Sequence, residues 1–132
     1  MFTLSFEEIW NYDAGIAGIP IPVELAVGEL TVKPDAKLDS GSTFCIFQRE
    51  QGEALGLDIE TGLREIISTP TGSFVAYGHG VTLSTLGFQL DVIVYFAAHY
   101  GLTRNVLGRY GFMQQLKLGV VDYEGKLYLN KI

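Results

Sequence analysis

The residues best suited to chemistry lie in one short run, Asp39-Ser40-Gly41-Ser42. An ionised carboxylate is a general base, a protonated one is a general acid, and a neighbouring glycine lets another backbone come close. The same run is also an ordinary turn, because aspartate readily accepts a hydrogen bond from its own downstream backbone. Taken alone, the tetrad supports both readings. No second Asp-[Ser/Thr]-Gly occurs in the chain, so chemistry that needs two such carboxylates needs a second copy of it.

Other reactive groups are more easily read as structure. His79 and His99 stand far apart with no third ligand-type residue beside them, so neither a metal site nor a cofactor is expected. Cys45 sits in the apolar run Phe44-Cys45-Ile46-Phe47 and reads as a buried structural thiol. Gly15-Ile16-Ala17-Gly18 and Gly78-His79-Gly80 lack the Lys-[Ser/Thr] that a phosphate-binding loop requires. Trp10 and Tyr12 are expected in core or edge packing. Glu7, Glu8, Asp58, Glu60 and Glu65 are expected on solvated faces.

Composition narrows the partners. Nine basic and fifteen acidic residues give a net charge of −6, which argues against a nucleic-acid partner. A single cysteine excludes a disulfide framework and fits a reducing, cytoplasmic setting. The N-terminus lacks the basic region of a signal peptide, and no apolar run reaches membrane-spanning length, so a soluble chain with no membrane partner is expected. At 132 residues and 48% apolar, one domain covering 1–132 is expected.

Alternation of apolar and polar residues dominates the elements that would position the tetrad. Phe2, Leu4 and Phe6 suggest a half-buried edge strand, and Val23 to Val32 a hairpin around Gly28. Ala36-Lys37-Leu38 predicts the strand that ends at Asp39. A short helix is expected between Phe47 and Gly56. Leu63–Ser68 and Ser73–Leu86 predict strands joined at Thr69-Pro70-Thr71-Gly72, and Gly87-Phe88-Gln89 a turn into a strand over Leu90–Ala97. Arg109–Gln115 has room for one or two helical turns. Leu116–Val121 and Lys126–Leu129 predict a terminal hairpin, with Lys126–Leu129 a free edge like Phe2–Phe6. The sum is a small, closed, mostly antiparallel all-β barrel with one or two short helices.

A second element, Val106-Leu107-Gly108, lies far downstream of Asp39 and has two apolar residues followed by glycine. With Asp39-Ser40-Gly41 after a strand, it makes the chain resemble the retropepsin-like aspartic peptidases of prokaryotic type. Gln51-Gly52-Glu53-Ala54-Leu55-Gly56-Leu57 is similar to the segment that follows the active-site loop in prokaryotic members. Thr69-Pro70-Thr71-Gly72-Ser73 falls where the flap tip would be. The resemblance runs from about Ile21 to Leu129 and leaves residues 1–18 unassigned. The chain departs from the family at Lys37, where an apolar residue is usual, and carries one flap-tip glycine, Gly72.

The resemblance implies an aspartic endopeptidase that works as a homodimer on a peptide or protein substrate, with Asp39 of each chain catalytic. Ser40 would then lock the two loops across the twofold axis, Gly41 would permit their approach, and Ser42 would hydrogen-bond the Asp39 carboxylate. Val106, Leu107 and Gly108 would complete a psi-shaped loop, with Thr71, Gly72 and Ser73 in the flap. Two alternatives stand beside it. One is a catalytically silent retropepsin-like dimer used for binding or assembly, and the other is a β-barrel whose Asp39 turn is only structural.

Overall fold

The computed structural model describes all 132 residues. Its strands are β1 (Glu8–Asn11), β2 (Pro20–Pro22), β3 (Glu24–Val27), β4 (Leu30–Val32), β5 (Asp35–Leu38) and β6 (Ile46–Phe47). A helix, α1 (Arg49–Ala54), precedes β7 (Leu63–Thr69), β8 (Gly72–Thr85), β9 (Phe88–Ala97), β10 (Asn105–Leu107), β11 (Leu116–Val121) and β12 (Lys126–Lys131). One sheet runs in the order β2-β5-β10-β6-β9-β8-β3-β4, with β7 also paired to β8. A second, three-stranded sheet runs β1-β12-β11. The fold is all-β and mostly antiparallel; only β5–β10 and β6–β9 pair in parallel. The larger sheet ends at β2 and β4 without pairing them, so its hydrogen-bond ladder stays open where the sequence suggested closure.

The β8–β9 hairpin organises the core because its two faces serve different purposes. On one face Val81, Leu83, Leu90, Val92, Val94 and Phe96 join the main core. On the other, Ala76 and Tyr95 form a smaller cluster with Ile46, Ile67 and Val106. Gly78 makes this second cluster possible, because a Cβ there would meet the Tyr95 ring at 2.8 Å. β6 flanks β9 only at Tyr95 and Phe96, and further along that same face Ile93 is 46% exposed.

Several predicted elements fall where the pattern placed them, including the Gly28 hairpin, the short helix, the β7–β8 hairpin and the terminal hairpin. Three others move. Phe2 and Leu4 lie outside any strand and are exposed, because Glu8–Asn11 already fills the edge of β12. That makes β12 the central strand of its sheet, so Lys126–Leu129 is not a free edge; the open edges belong to β1 and β11. The turn into β9 is Leu86-Gly87, both at positive φ (49° and 85°), which suits a tight two-residue hairpin despite the cost at leucine. Arg109–Gln115 holds one helical turn, within the one or two expected, a 3-10 turn at Met113–Gln115. The backbone of Arg109 and Tyr110 is spent on the 42–43 loop.

Arg49 ties the helix to its surroundings. Its Nη1 donates to Glu60 Oε1 at 2.6 Å and to the Ala98 carbonyl at 2.8 Å, and its Nε donates to Glu53. The Arg49 hydrogen bond holds the Glu60 carboxyl below its ordinary range. A carboxylate with a lowered folded pKa stabilises the fold above the unfolded value, about 4.3, and that stability is lost as pH falls through the folded pKa. Thermal melts of the parent and Glu60→Gln should therefore differ most at neutral pH and converge on acidification below about pH 4. The gap should be modest, since Glu60 is half exposed.

Candidate active site

Strand β5 carries the chain to Asp39, and β10 lies in parallel beside it with Val106 opposite Lys37 and Leu107 opposite Leu38. The chain then loops over the end of β10 and returns as β6 on its far side, where Ile46 pairs with Val106. β10 is thus inserted between two strands that are neighbours in sequence. Asn105 holds both sides, because its Oδ1 accepts from the Gln48 N–H at 2.8 Å and its Nδ2 donates to the Asp35 carbonyl at 3.1 Å.

The loop crossing is held by backbone hydrogen bonds. The Asp39 N–H donates to the Leu107 carbonyl at 2.9 Å, Arg109 N–H to Ser42 at 2.9 Å, and Tyr110 N–H to Thr43 at 2.8 Å. Gly108 lies under this crossing: a Cβ there would collide with the Phe44 carbonyl oxygen and approach that of Ser42 to 2.6 Å. Cys45 fills the remaining gap as a buried thiol, accepting from Gly108 N–H and donating to the Tyr110 carbonyl, both at 3.4 Å. Burial pushes that thiol up to about 11, which suits a structural group rather than a nucleophile.

Within the tetrad, Asp39 Oδ1 accepts the Gly41 N–H at 2.9 Å, and the Ser42 N–H donates to the Asp39 carbonyl at 3.1 Å. Ser40 and Gly41 are exposed. The Ser42 hydroxyl donates at 2.7 Å to the Phe44 carbonyl, so the expected bond to the Asp39 carboxylate is not made. The Phe44 carbonyl oxygen lies beside the loop crossing and accepts the hydroxyl's hydrogen bond locally, two residues along the chain.

Asp39 opens onto a cleft of about 240 Å³. Its floor is the small apolar cluster, through Ile46, Ile67 and Val106. Phe74 and the arm Ser68-Thr69-Pro70 line one wall, and Leu102 and Arg104 also border it. The structure therefore brings Asp39, Gly41 and Ser42 of the tetrad, Val106 and the β7–β8 hairpin to one cavity, with Ser40 outside its lining. Thr71, Gly72 and Ser73 sit at the hairpin tip and do not line the cleft, and Leu107 and Gly108 are buried behind it. Asp39 and Arg104 are the only charged residues in the wall. Sequence reasoning passed over Arg104, although it lies two residues before Val106 and was placeable once β10 was paired with β5.

The other candidates lie elsewhere. His79 Nε2 bonds the Ile59 carbonyl at 2.8 Å beside Phe96. His99 is exposed. Trp10 Nε1 donates to the Pro20 carbonyl and Tyr12 to Asp122, which fastens the three-stranded sheet. No three His, Cys, Asp or Glu side chains converge. No helix is long and apolar enough to cross a membrane.

No protein-family model matches the sequence, and no curated protein matches it. Solved structures do. The chain is similar to a retropepsin-like aspartic protease from Rickettsia conorii, with 15% identity and a TM-score of 0.65 over 97% of this chain and all of that one. It is also similar to the EIAV protease complexed with the inhibitor HBY-793, with 16% identity and a TM-score of 0.53 over 68% of this chain and 80% of that one. The fold is thus the retropepsin-like one.

The crossing at Gly108 predicts a large, local stability effect. Gly108→Ala should cost on the order of 3 kcal/mol, because carbonyl oxygens occupy the space of the new methyl. Ser42→Ala removes one hydrogen bond to a carbonyl and should cost about 1 kcal/mol. Urea midpoints of the two variants against the parent measure both.

Proposed function

We propose that this chain is an aspartic-type endopeptidase that works as a homodimer, with Asp39 of each copy forming the catalytic pair. The observation that carries the reading is the position of Asp39. It is the single carboxylate on an apolar-floored cleft, presented by a strand whose end is pinned to β10 beneath an overhanging hairpin. One carboxylate cannot hold and activate a water from both sides, and a twofold axis through the exposed Ser40-Gly41 loop supplies the second.

In that arrangement the two carboxyl groups share one proton. The ionised one takes a proton from water as the oxygen attacks the scissile carbonyl carbon, and the protonated one donates to the carbonyl oxygen. Proton return to the amide nitrogen then lets the C–N bond break. The Gly41 N–H on Asp39 Oδ1 fixes the carboxylate plane, which limits the reorientation needed during the reaction. Ser40, exposed at the loop, is available to bond across the axis. The β7–β8 hairpin, with Thr71, Gly72 and Ser73 at its tip, would close over an extended peptide. The open edges of β1 and β11, where Ile9, Val120 and Val121 are exposed, offer further contact area.

Sedimentation at micromolar concentration should give a dimer, and Asp39→Asn should lower kcat/KM on a peptide library by roughly 10²- to 10⁴-fold while melting like the parent. Activity should follow a bell-shaped profile on the acid side, since a coupled pair works only when singly protonated. A dimer that binds peptides but cleaves none would select the silent binding or assembly module instead. A monomer that cleaves as well as its Asp39→Asn variant would overturn both.

A further inference from the structure

On the pair β5–β10 the side chains divide strictly by face. Ala36 and Leu107 enter the main core, with Leu38 packed against it. Val106 points the other way, into the cluster under the cleft. Strand alternation then puts Lys37 of β5, Asp39 just after it, and Arg104 just before β10 on the cleft side with Val106. Lys37 lies opposite Val106, and Arg104 sits two residues along the chain from it. Arg104 borders both the Asp39 cleft and a second concavity of about 290 Å³ that Lys37 also lines.

Neither cation is used by the fold. Arg104 is exposed, and neither it nor Lys37 belongs to any of the three ion pairs of the chain. The Lys37 stem is nonetheless held, because it packs on Gly18, where a Cβ would meet its Cδ at 2.8 Å. Gly18 has φ +76°, a conformation that favours glycine, so the contact is built into the backbone. Two unpaired cations on a chain of net charge −6 are therefore grouped here, Arg104 on the wall of the Asp39 cleft and Lys37 in the adjoining concavity that Arg104 shares. Asp35 lines the second concavity without pairing to either, and it weakens their field without cancelling it.

We infer that Arg104 and Lys37 select an acidic side chain in the substrate, within about two residues of the scissile bond. An extended peptide repeats its side chains on one face about every 7 Å, which matches the two-residue step from Val106 to Arg104. The apolar floor takes a neighbouring uncharged side chain, and the guanidinium takes the carboxylate, with Lys37 adding charge. This specificity rests on the peptidase reading of the cleft, and its test separates the two.

Short peptides from a cleaved library are remade as matched Glu and Gln pairs and assayed with the parent dimer, Arg104→Gln, Lys37→Met, Asp35→Asn and Arg104→Glu. Melting curves for each variant establish that it is folded. The parent should prefer the Glu member about tenfold or more in kcat/KM, with the ratio falling as salt rises. The ratio should fall toward one in Arg104→Gln, drop in Lys37→Met, rise in Asp35→Asn, and turn toward Lys over Gln in Arg104→Glu. Asp39-dependent cleavage that treats Glu and Gln alike overturns the charge assignment and leaves the peptidase reading standing. If cleavage does not depend on Asp39, or none occurs, the peptidase reading falls. Fluorescence anisotropy of labelled poly-Glu and poly-Gln peptides on Asp39→Asn then decides the assignment. Tighter Glu binding that Arg104→Gln removes supports it, and equal binding overturns it.

Discussion

The crossing of the 39–45 loop over β10 is the contact on which the remaining architecture depends. Gly108 has carbonyl oxygens of Ser42 and Phe44 where any other residue would carry its Cβ. Only that approach lets the Arg109 and Tyr110 N–H groups reach Ser42 and Thr43, and the Asp39 N–H reach Leu107. Backbone polar groups at such a crossing need partners, and here the N–H groups of Asp39, Arg109 and Tyr110 each find a carbonyl of the facing segment. The loop carrying Asp39 is consequently held by main-chain bonds on both flanks, which places its carboxylate without help from long side chains.

The same economy governs the floor of the cleft. The β8–β9 hairpin buries its inner face in the main core and, near Tyr95, packs its outer face with the side chains of Ile46 and Val106 from the neighbouring strands β6 and β10 of the same sheet. Ile46 and Val106 belong at once to the inserted strand arrangement and to the cavity wall. A change that loosens the crossing therefore deforms the cleft, and a change in the floor is felt by the crossing. Asn105 and Cys45 fill the polar and apolar gaps of this junction, and neither touches the cavity.

In the tetrad the aspartate turn and a place on the cleft are compatible. Asp39 Oδ1 closes the aspartate turn on Gly41, and the residue still lines the cleft. A turn that uses one carboxylate oxygen orients the group and leaves the other oxygen free. Ser42 belongs wholly to the turn side of this division, because its hydroxyl is taken by the Phe44 carbonyl. Charge is distributed with similar asymmetry. Arg49 is committed to Glu60 and Glu53, whereas Arg104 and Lys37 remain unpaired beside the cavity.

Period-two alternation, turn residues and the Asp-Ser-Gly tetrad were legible in the amino acids themselves, whereas the pairing of that tetrad with Val106-Leu107-Gly108 was implied by the family resemblance. These features are local, or rest on a backbone requirement that only glycine meets. Phe2–Phe6 shows the limit: its alternation is as regular as that of β12, yet an edge strand exists only where a neighbour has an open backbone, and Glu8–Asn11 takes that place. Ser42 shows it again, since composition offers a hydroxyl but not its acceptor. Arg104, Leu102, Ile67 and Phe74 join Asp39 only because parallel pairing and the folded hairpin bring distant segments together. Strand patterning is written in short-range periodicity, whereas the cavity is a product of long-range register, and register is decided by which buried faces can be satisfied together.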